Sequence, residues 1–217
     1  MFLLPYEADV TMYRWPYANV GLIIAITLVS VMAFAESAGS PLALLVLNGW
    51  GPIGMVGHVF LHGGILHLLG NMMFLWTFGN AVCAKWGDLP FLAIFFGLAV
   101  ASATIHNLFD GHPAIGASGA INGVVGLFLV YFPRNDIRCF WYIFVRAGTF
   151  GIGSIWMILL WLAFDIWGAA SGGGGVAYWA HLGGFGAGVA LGLASLRYDW
   201  VEMTDTECSL VEMMGSR

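Results

Sequence analysis

The sequence predicts an all-α fold: a polytopic membrane protein built as a bundle of six transmembrane helices. Three observations carry that prediction. Of the 217 residues, 60% are hydrophobic and only 9% charged, whereas a soluble domain carries roughly 25% charged residues. Mean hydropathy is +0.86. Apolar stretches of about 20 residues recur along the chain, the length a helix needs to cross ~30 Å of hydrocarbon. A spanning barrel would need alternating strands of about ten residues instead, and the sequence shows no such pattern.

Each element follows from where polar residues, glycine clusters and proline interrupt the apolar runs. The opening MFLLPYEADVTMYRWPYANV is polar and broken by Pro5 and Pro16. It lacks the short apolar core and cleavage site of a signal peptide, so residues 1–16 are expected to form a cytoplasmic segment. The first span, 18–35, then reads as a retained helix. The connection ESAGSPLALLVLNGWGPIGMVG holds an apolar PLALLVL too short to cross, expected as a loop lying partly in the membrane interface. Further spans are expected at 59–82, 89–107, 118–132, 150–169 and 178–196, making a membrane domain over 17–197 and an acidic cytoplasmic tail over 198–217.

The charges set an orientation. With six spans, both termini and the loops at 83–88 and 133–149 share one side. All seven basic residues, Arg14, Lys85, Arg134, Arg138, Arg146, Arg197 and Arg217, fall there. The positive-inside rule puts that side in the cytoplasm. Cys83, Cys139 and Cys208 share it, in a compartment where thiols stay reduced, so no disulfide is expected. Seven dispersed cations make no basic patch, which disfavours a nucleic-acid partner.

Intramembrane polar groups are costly and mark functional sites by default. Helical rise of ~1.5 Å per residue gives their depth from the cytoplasmic cations. Ser118 lies sixteen residues before Arg134, and His181 sixteen before Arg197, about 24 Å in each case. Asn71 and His67 lie fourteen and eighteen residues before Lys85, roughly 21 and 27 Å. Three helices therefore carry these four side chains at one level, toward the outer face.

Glycines supply the means of approach. His181, Gly184, Gly188 and Gly192 share one helix face, and Gly119, Gly123 and Gly126 form a strip below Ser118. Small residues at such spacing let helix backbones pack closely in lipid. Packing strip against strip brings Ser118 to His181, a nucleophile beside a general base. His67, Asn71 and the Ser118 N–H are the donors available to a developing oxyanion.

Three motifs resemble those of the rhomboid intramembrane serine proteases: HVFLHGGILHLLGN at 58–71, GASG at 116–119 and AHLGGFGAG at 180–188. Their order and spacing are similar to the basic six-helix members of that family over roughly residues 17–197. The resemblance implies Ser118 as nucleophile, His181 as base and then acid, and His67 and Asn71 as oxyanion stabilisers. It implies a dyad without a third carboxylate, so Asp165, the one acid in the outer half of a late span, is given no catalytic role. His58 and His62 match histidines that keep water and packing near the site. Implied partners are single-pass transmembrane protein substrates and membrane lipid, with no cofactor. The implied location is the bacterial inner membrane, with the site opening to the extracytoplasmic side. The chain departs from the family in two places. GPIGMVG stands where many relatives have a Trp-Arg pair, and Asn122 stands where some have an aromatic platform for the histidine. Phe185, Tyr178 or Trp179 are candidate substitutes for that platform.

Plainer readings compete at several positions. Ser118 follows Pro113, opens a span and suits an N-cap. Asn71 suits interhelical bonding. His58 and His62 stand at i and i+4, but the HExxH glutamate is missing and no carboxylate or thiol is expected at their depth, so no metal is expected. His106 and His112 border a loop and read as solvated. GASGA lacks the last glycine and the preceding strand of a nucleophile elbow. A non-catalytic rhomboid-like protein that escorts membrane clients is the alternative, and both Ser118 and His181 stand against it. A transporter would show inverted repeats, which are not visible. The sequence sets no oligomeric state, and entry of substrate is expected past the fifth span and its glycine-rich loop at 171–174.

Overall fold

A computed structural model of the chain describes residues 2–36, 40–143, 146–172 and 175–215. Half of the loop at 171–174, residues 173–174, and Arg217 lie outside the described residues. Among the described residues, five helical stretches are long and apolar enough to cross a bilayer: Tyr17–Ala35, Ile65–Trp86, Asp88–Phe109, Ser154–Ser171 and Tyr178–Arg197. The sixth expected span is a shorter apolar helix, Ser118–Tyr131, of 14 residues. At helical rise that is about 21 Å, well short of ~30 Å of hydrocarbon.

Helix α1 (Tyr17–Ala35) opens without a side-chain cap of its own. Instead the Ala18 N–H donates to Asp88 Oδ1 at 2.8 Å, an anion set at the positive end of the helix. After α2 (Pro52–Gly57), the span expected from residue 59 begins only at Ile65, because Gly63 and Gly64 interrupt the run. It comprises α3 (Ile65–Phe74), a π-turn (Leu75–Gly79) and α4 (Asn80–Trp86). Asn19, fully buried on α1, answers that irregularity. Its Nδ2 donates to Leu75 O at 2.9 Å and to Asn80 Oδ1 at 2.8 Å. A Cβ on Gly79 would sit 2.6 Å from Asn19 Oδ1, so glycine leaves the room that the amide fills. Replacing Asn19 by Ala strands two buried acceptors, and we expect a loss of about 1–3 kcal/mol. Thermal unfolding in detergent measures it; an unchanged midpoint would refute the role assigned to this amide.

Helix α5 (Asp88–Phe109) and α6 (Ser118–Tyr131) follow. Nearly every side of α6 is buried; it is the axis of the bundle, wrapped by its neighbours. Helices α7 (Ser154–Ser171) and α8 (Tyr178–Arg197) form a hairpin beside it. Contact between α6 and α8 is closest. A Cβ on Gly184 would lie 1.9 Å from Gly119 O, and one on Gly188 equally close to Gly123 O. The two glycine strips therefore pack as their spacing predicts.

A small three-stranded antiparallel sheet, ordered β1-β2-β3, is additional to the expected bundle. Its strands are Phe2–Ala8, Asp136–Ile143 and Arg146–Gly153. Ile137 and Cys139 point into the core while Arg138 and Phe140 face out, the two-residue alternation of a half-buried strand. Pro5 lies on the edge strand beside a register shift, where a residue without an N–H is tolerated. The fifth span therefore begins at Ser154 rather than 150, with the Ser154 hydroxyl donating to Phe132 O at 2.7 Å. The acidic tail docks too: Glu207 pairs with Lys85, Val201 is buried, and a short helix α9 (Leu210–Gly215) follows.

Candidate active site

The site is assembled at the start of α6. Gly116, at φ +122°, turns the chain into the helix and donates its N–H to His58 O at 2.9 Å. That backbone conformation disfavours any L side chain, and a Cβ there would also stand 2.9 Å from the His67 ring. Ala117 holds the N-cap position and Ser118 is the first residue of the helix. The hydroxyl is engaged elsewhere, 2.9 Å from His181 Nε2.

His181 sits in the first turn of α8, brought there by the glycine contact with α6. Its other ring nitrogen, Nδ1, is 2.9 Å from Asp165 Oδ1 on α7. The sequence reading set Asp165 aside; in the folded chain it touches the histidine directly. A carboxylate can only accept, so Nδ1 carries the proton and donates to it. Nε2 is then left as the acceptor for the Ser118 hydroxyl.

His67 and Asn71, one turn apart on α3, line the same cavity as Ser118, Asp165 and His181, a space of about 690 Å³. All four residues expected at one level thus share one cavity. The Gly63 N–H donates to His67 Nδ1 in a long 3.4 Å bond, which leaves Nε2 as the protonated nitrogen. Asn71 is buried, and its Nδ2 has no hydrogen-bond partner. Because Asn71 lines the cavity, that donor is available to a group held there. From the place a Gly116 Cβ would take, His67 Nε2 is 3.1 Å and Asn71 Nδ2 3.8 Å away. The two donors therefore flank the turn that presents Ser118.

The remaining candidates separate. Asn122 donates to the Ser118 carbonyl at 3.0 Å and so belongs to its own helix. Of the candidate platforms, Tyr178 meets the His181 ring edge to face at 6.2 Å, and Phe185 lines the cavity. Trp179 stacks on Phe109 instead. His58 and His62 are buried supports: Nδ1 of His58 bonds to Gly54 O at 3.0 Å, and Nδ1 of His62 to the Ser30 hydroxyl at 2.8 Å. His106 is not solvated as expected. It is 1% exposed, with Nε2 bonded to His112 O, because the loop folds back over it. His112 is exposed and bonds to Asp110, holding that carboxyl below the usual carboxylate range.

A signal for Asp165 exists in the sequence. It lies six residues before the end of α7 and His181 three after the start of α8. In an antiparallel helix pair those positions fall at similar heights, a reckoning the cytoplasmic ruler did not apply.

A helical bundle that sets a serine hydroxyl against a histidine within an apolar, membrane-spanning frame defines a class: polytopic helical membrane proteins with a polar centre inside the bundle. A model of the rhomboid domain matches residues 49–198, and the chain belongs to the rhomboid family. It is an integral membrane protein. Over 149 residues it is 32% identical to the mitochondrial Rhomboid protein 1 of Saccharomyces cerevisiae, covering 64% of this chain and 41% of that one. It is 34% identical over 136 residues to Rhomboid protease GluP of Bacillus subtilis, covering 62% and 25%. Identity to Rhomboid protease GlpG of Klebsiella pneumoniae is 27% over 134 residues, covering 62% and 45%. The matched region spans less than half the length of each of these relatives.

Proposed function

We propose that this protein is an intramembrane serine endopeptidase that cuts single-pass transmembrane proteins in or near the outer half of the membrane. The observation that carries the reading is the 2.9 Å contact between Ser118 Oγ and His181 Nε2, beside the unpartnered Asn71 amide. Relatives named as proteases support it.

The chemistry follows from which atoms can give and accept protons. As Ser118 Oγ bonds to the scissile carbonyl carbon, its proton passes to His181 Nε2. Negative charge collects on the carbonyl oxygen, where Asn71 Nδ2, His67 Nε2 and the Ser118 N–H are the available donors. First-turn N–H groups have no acceptor within their own helix, which frees the last of these. Collapse breaks the C–N bond, and His181 returns its proton to the leaving amine. A water then attacks the acyl-enzyme with His181 as base, releasing the carboxylate and restoring Ser118. A helical substrate must unwind first, because its amides are shielded by their own hydrogen bonds. Sideways entry between α3 and α7 requires the packed rings of Phe74 and Trp161, 4.4 Å apart between centroids, to separate. The clustering of basic residues favours cytoplasmic termini, with the site opening to the opposite face of a bacterial inner membrane.

The test is purified protein in detergent with a single-pass model substrate, and in parallel a fluorophosphonate probe with peptide mapping. Cleavage, with the label on Ser118, is expected. Neither cleavage nor labelling would overturn the reading in favour of a client-binding protein. Asn71→Ala is expected to lower kcat by roughly 10²–10³-fold with KM little changed, since the amide meets charge only in the transition state. An equal change in KM instead would assign Asn71 to ground-state binding.

A further inference from the structure

The geometry points to Asp165 as a positioning residue for His181, so that this protein works through a Ser118–His181–Asp165 triad rather than through two residues alone. The inference rests on the hydrolase reading above and deepens it. Asp165 is the one charged residue of α7. Intramembrane carboxylates face a cavity or a partner because lipid exposes them at high cost, and Asp165 has both. It lines the cavity, and among the described residues its one hydrogen-bonding partner is His181. The two side chains are 15% and 14% exposed respectively, a setting in which charge is weakly screened.

The contact fixes three things. It puts the proton on Nδ1, leaving Nε2 free to accept from Ser118. It sets the ring plane, a task for which Asn122 is unsuited because its amide is turned back onto the Ser118 carbonyl. It also places negative charge beside the imidazolium that forms as Ser118 attacks, without Asp165 itself taking the proton. The tyrosine edge at 6.2 Å can hold the ring in place but cannot choose its tautomer. Within α7 the inward neighbours Ile158 and Trp161 are apolar, so the carboxylate has no competing partner on its own helix.

The test compares wild type, Asp165→Asn, Asp165→Ala and Asp165→Glu by cleavage kinetics and by the rate of fluorophosphonate labelling of Ser118, each on protein shown to be folded by thermal unfolding. Asp165→Asn is nearly isosteric but can donate to Nδ1, which selects the wrong tautomer. It is expected to lower kcat and the labelling rate together by on the order of 10²-fold, with KM within about twofold because substrate contacts are untouched. Asp165→Glu restores much of both rates, because a carboxylate returns. If Asp165→Asn does not fold, Asp165→Ala reports the same two rates, since it removes the acceptor without adding a donor. Folded Asp165→Asn or Asp165→Ala with near-wild-type rates overturns the proposal while leaving the hydrolase reading intact. So does an Asp165→Glu variant no better than Asp165→Asn. A wild type that neither cleaves nor labels overturns both readings, and that outcome is distinct from the others.

Discussion

Ser118→Ala and His181→Ala are each expected to lower cleavage of a transmembrane substrate by on the order of 10⁴-fold or more. The double variant is expected to be no worse than either, because nucleophile and base act as a unit and lose their function together. Ser118→Ala removes the atom that forms the acyl bond. His181→Ala leaves that atom with a proton and nothing to take it. Fluorophosphonate labelling should vanish in both. Stability separates this reading from the plainer one. Were Ser118 an N-cap, its loss would cost about 1 kcal/mol, but the cap position belongs to Ala117 and the Ser118 hydroxyl is engaged with His181, so the melting midpoint of Ser118→Ala should stay close to wild type. A Ser118→Ala protein that still cuts, or that merely unfolds, would refute the assignment.

Gly184→Ala should cost both stability and activity, and Gly186→Ala should cost little. The two substitutions are chemically identical and two residues apart on α8. A Cβ on Gly184 meets the Gly119 carbonyl oxygen at 1.9 Å, while one on Gly186 meets nothing within 4 Å. Backbone cannot rotate away as a side chain can, so α8 must move off α6. Gly184 lies one turn from His181, and that movement pulls Nε2 away from Ser118. Overpacking of this kind costs roughly 3 kcal/mol, or a fall of about 10 °C in melting for a chain of this size. Cleavage by the surviving folded fraction should fall as well. Gly188→Ala, equally close to Gly123 O but a further turn away, should destabilise as much with a smaller effect on chemistry per folded molecule. Equal melting of Gly184→Ala and Gly186→Ala would refute the close packing.

The helices were legible because a span in lipid must be long, apolar and almost uncharged, a demand that composition alone reveals. The meeting of Ser118 with His181 was legible for a related reason. Helical rise converts residue number into height, and glycine strips identify which faces approach. The sheet was hidden because β3, RAGTFGIG, is interrupted by Gly148, Gly151 and Gly153, and glycine weakens a strand pattern. β2 lies among the loop charges used to orient the chain, and its partner β1 comes from the far end of the sequence, Glu7 opposite Arg138, a pairing no local pattern announces. His106 looked solvated because it borders a loop in the sequence, and only the folding of that loop buries it.

By itself, then, the sequence determined the helical bundle and picked out Ser118 and His181 as side chains that meet. Length, hydropathy and small-residue spacing are one-dimensional quantities that lipid and helical geometry translate directly into height and facing. What the tertiary structure alone decided is lateral: which residue meets Nδ1 of His181, that Asn71 keeps a donor free, and that Asn19 meets the carbonyl at the π-turn. Those contacts depend on the rotation of each helix about its axis and on side-chain direction across a gap of a few ångströms. No count along the chain specifies such angles before the helices have packed.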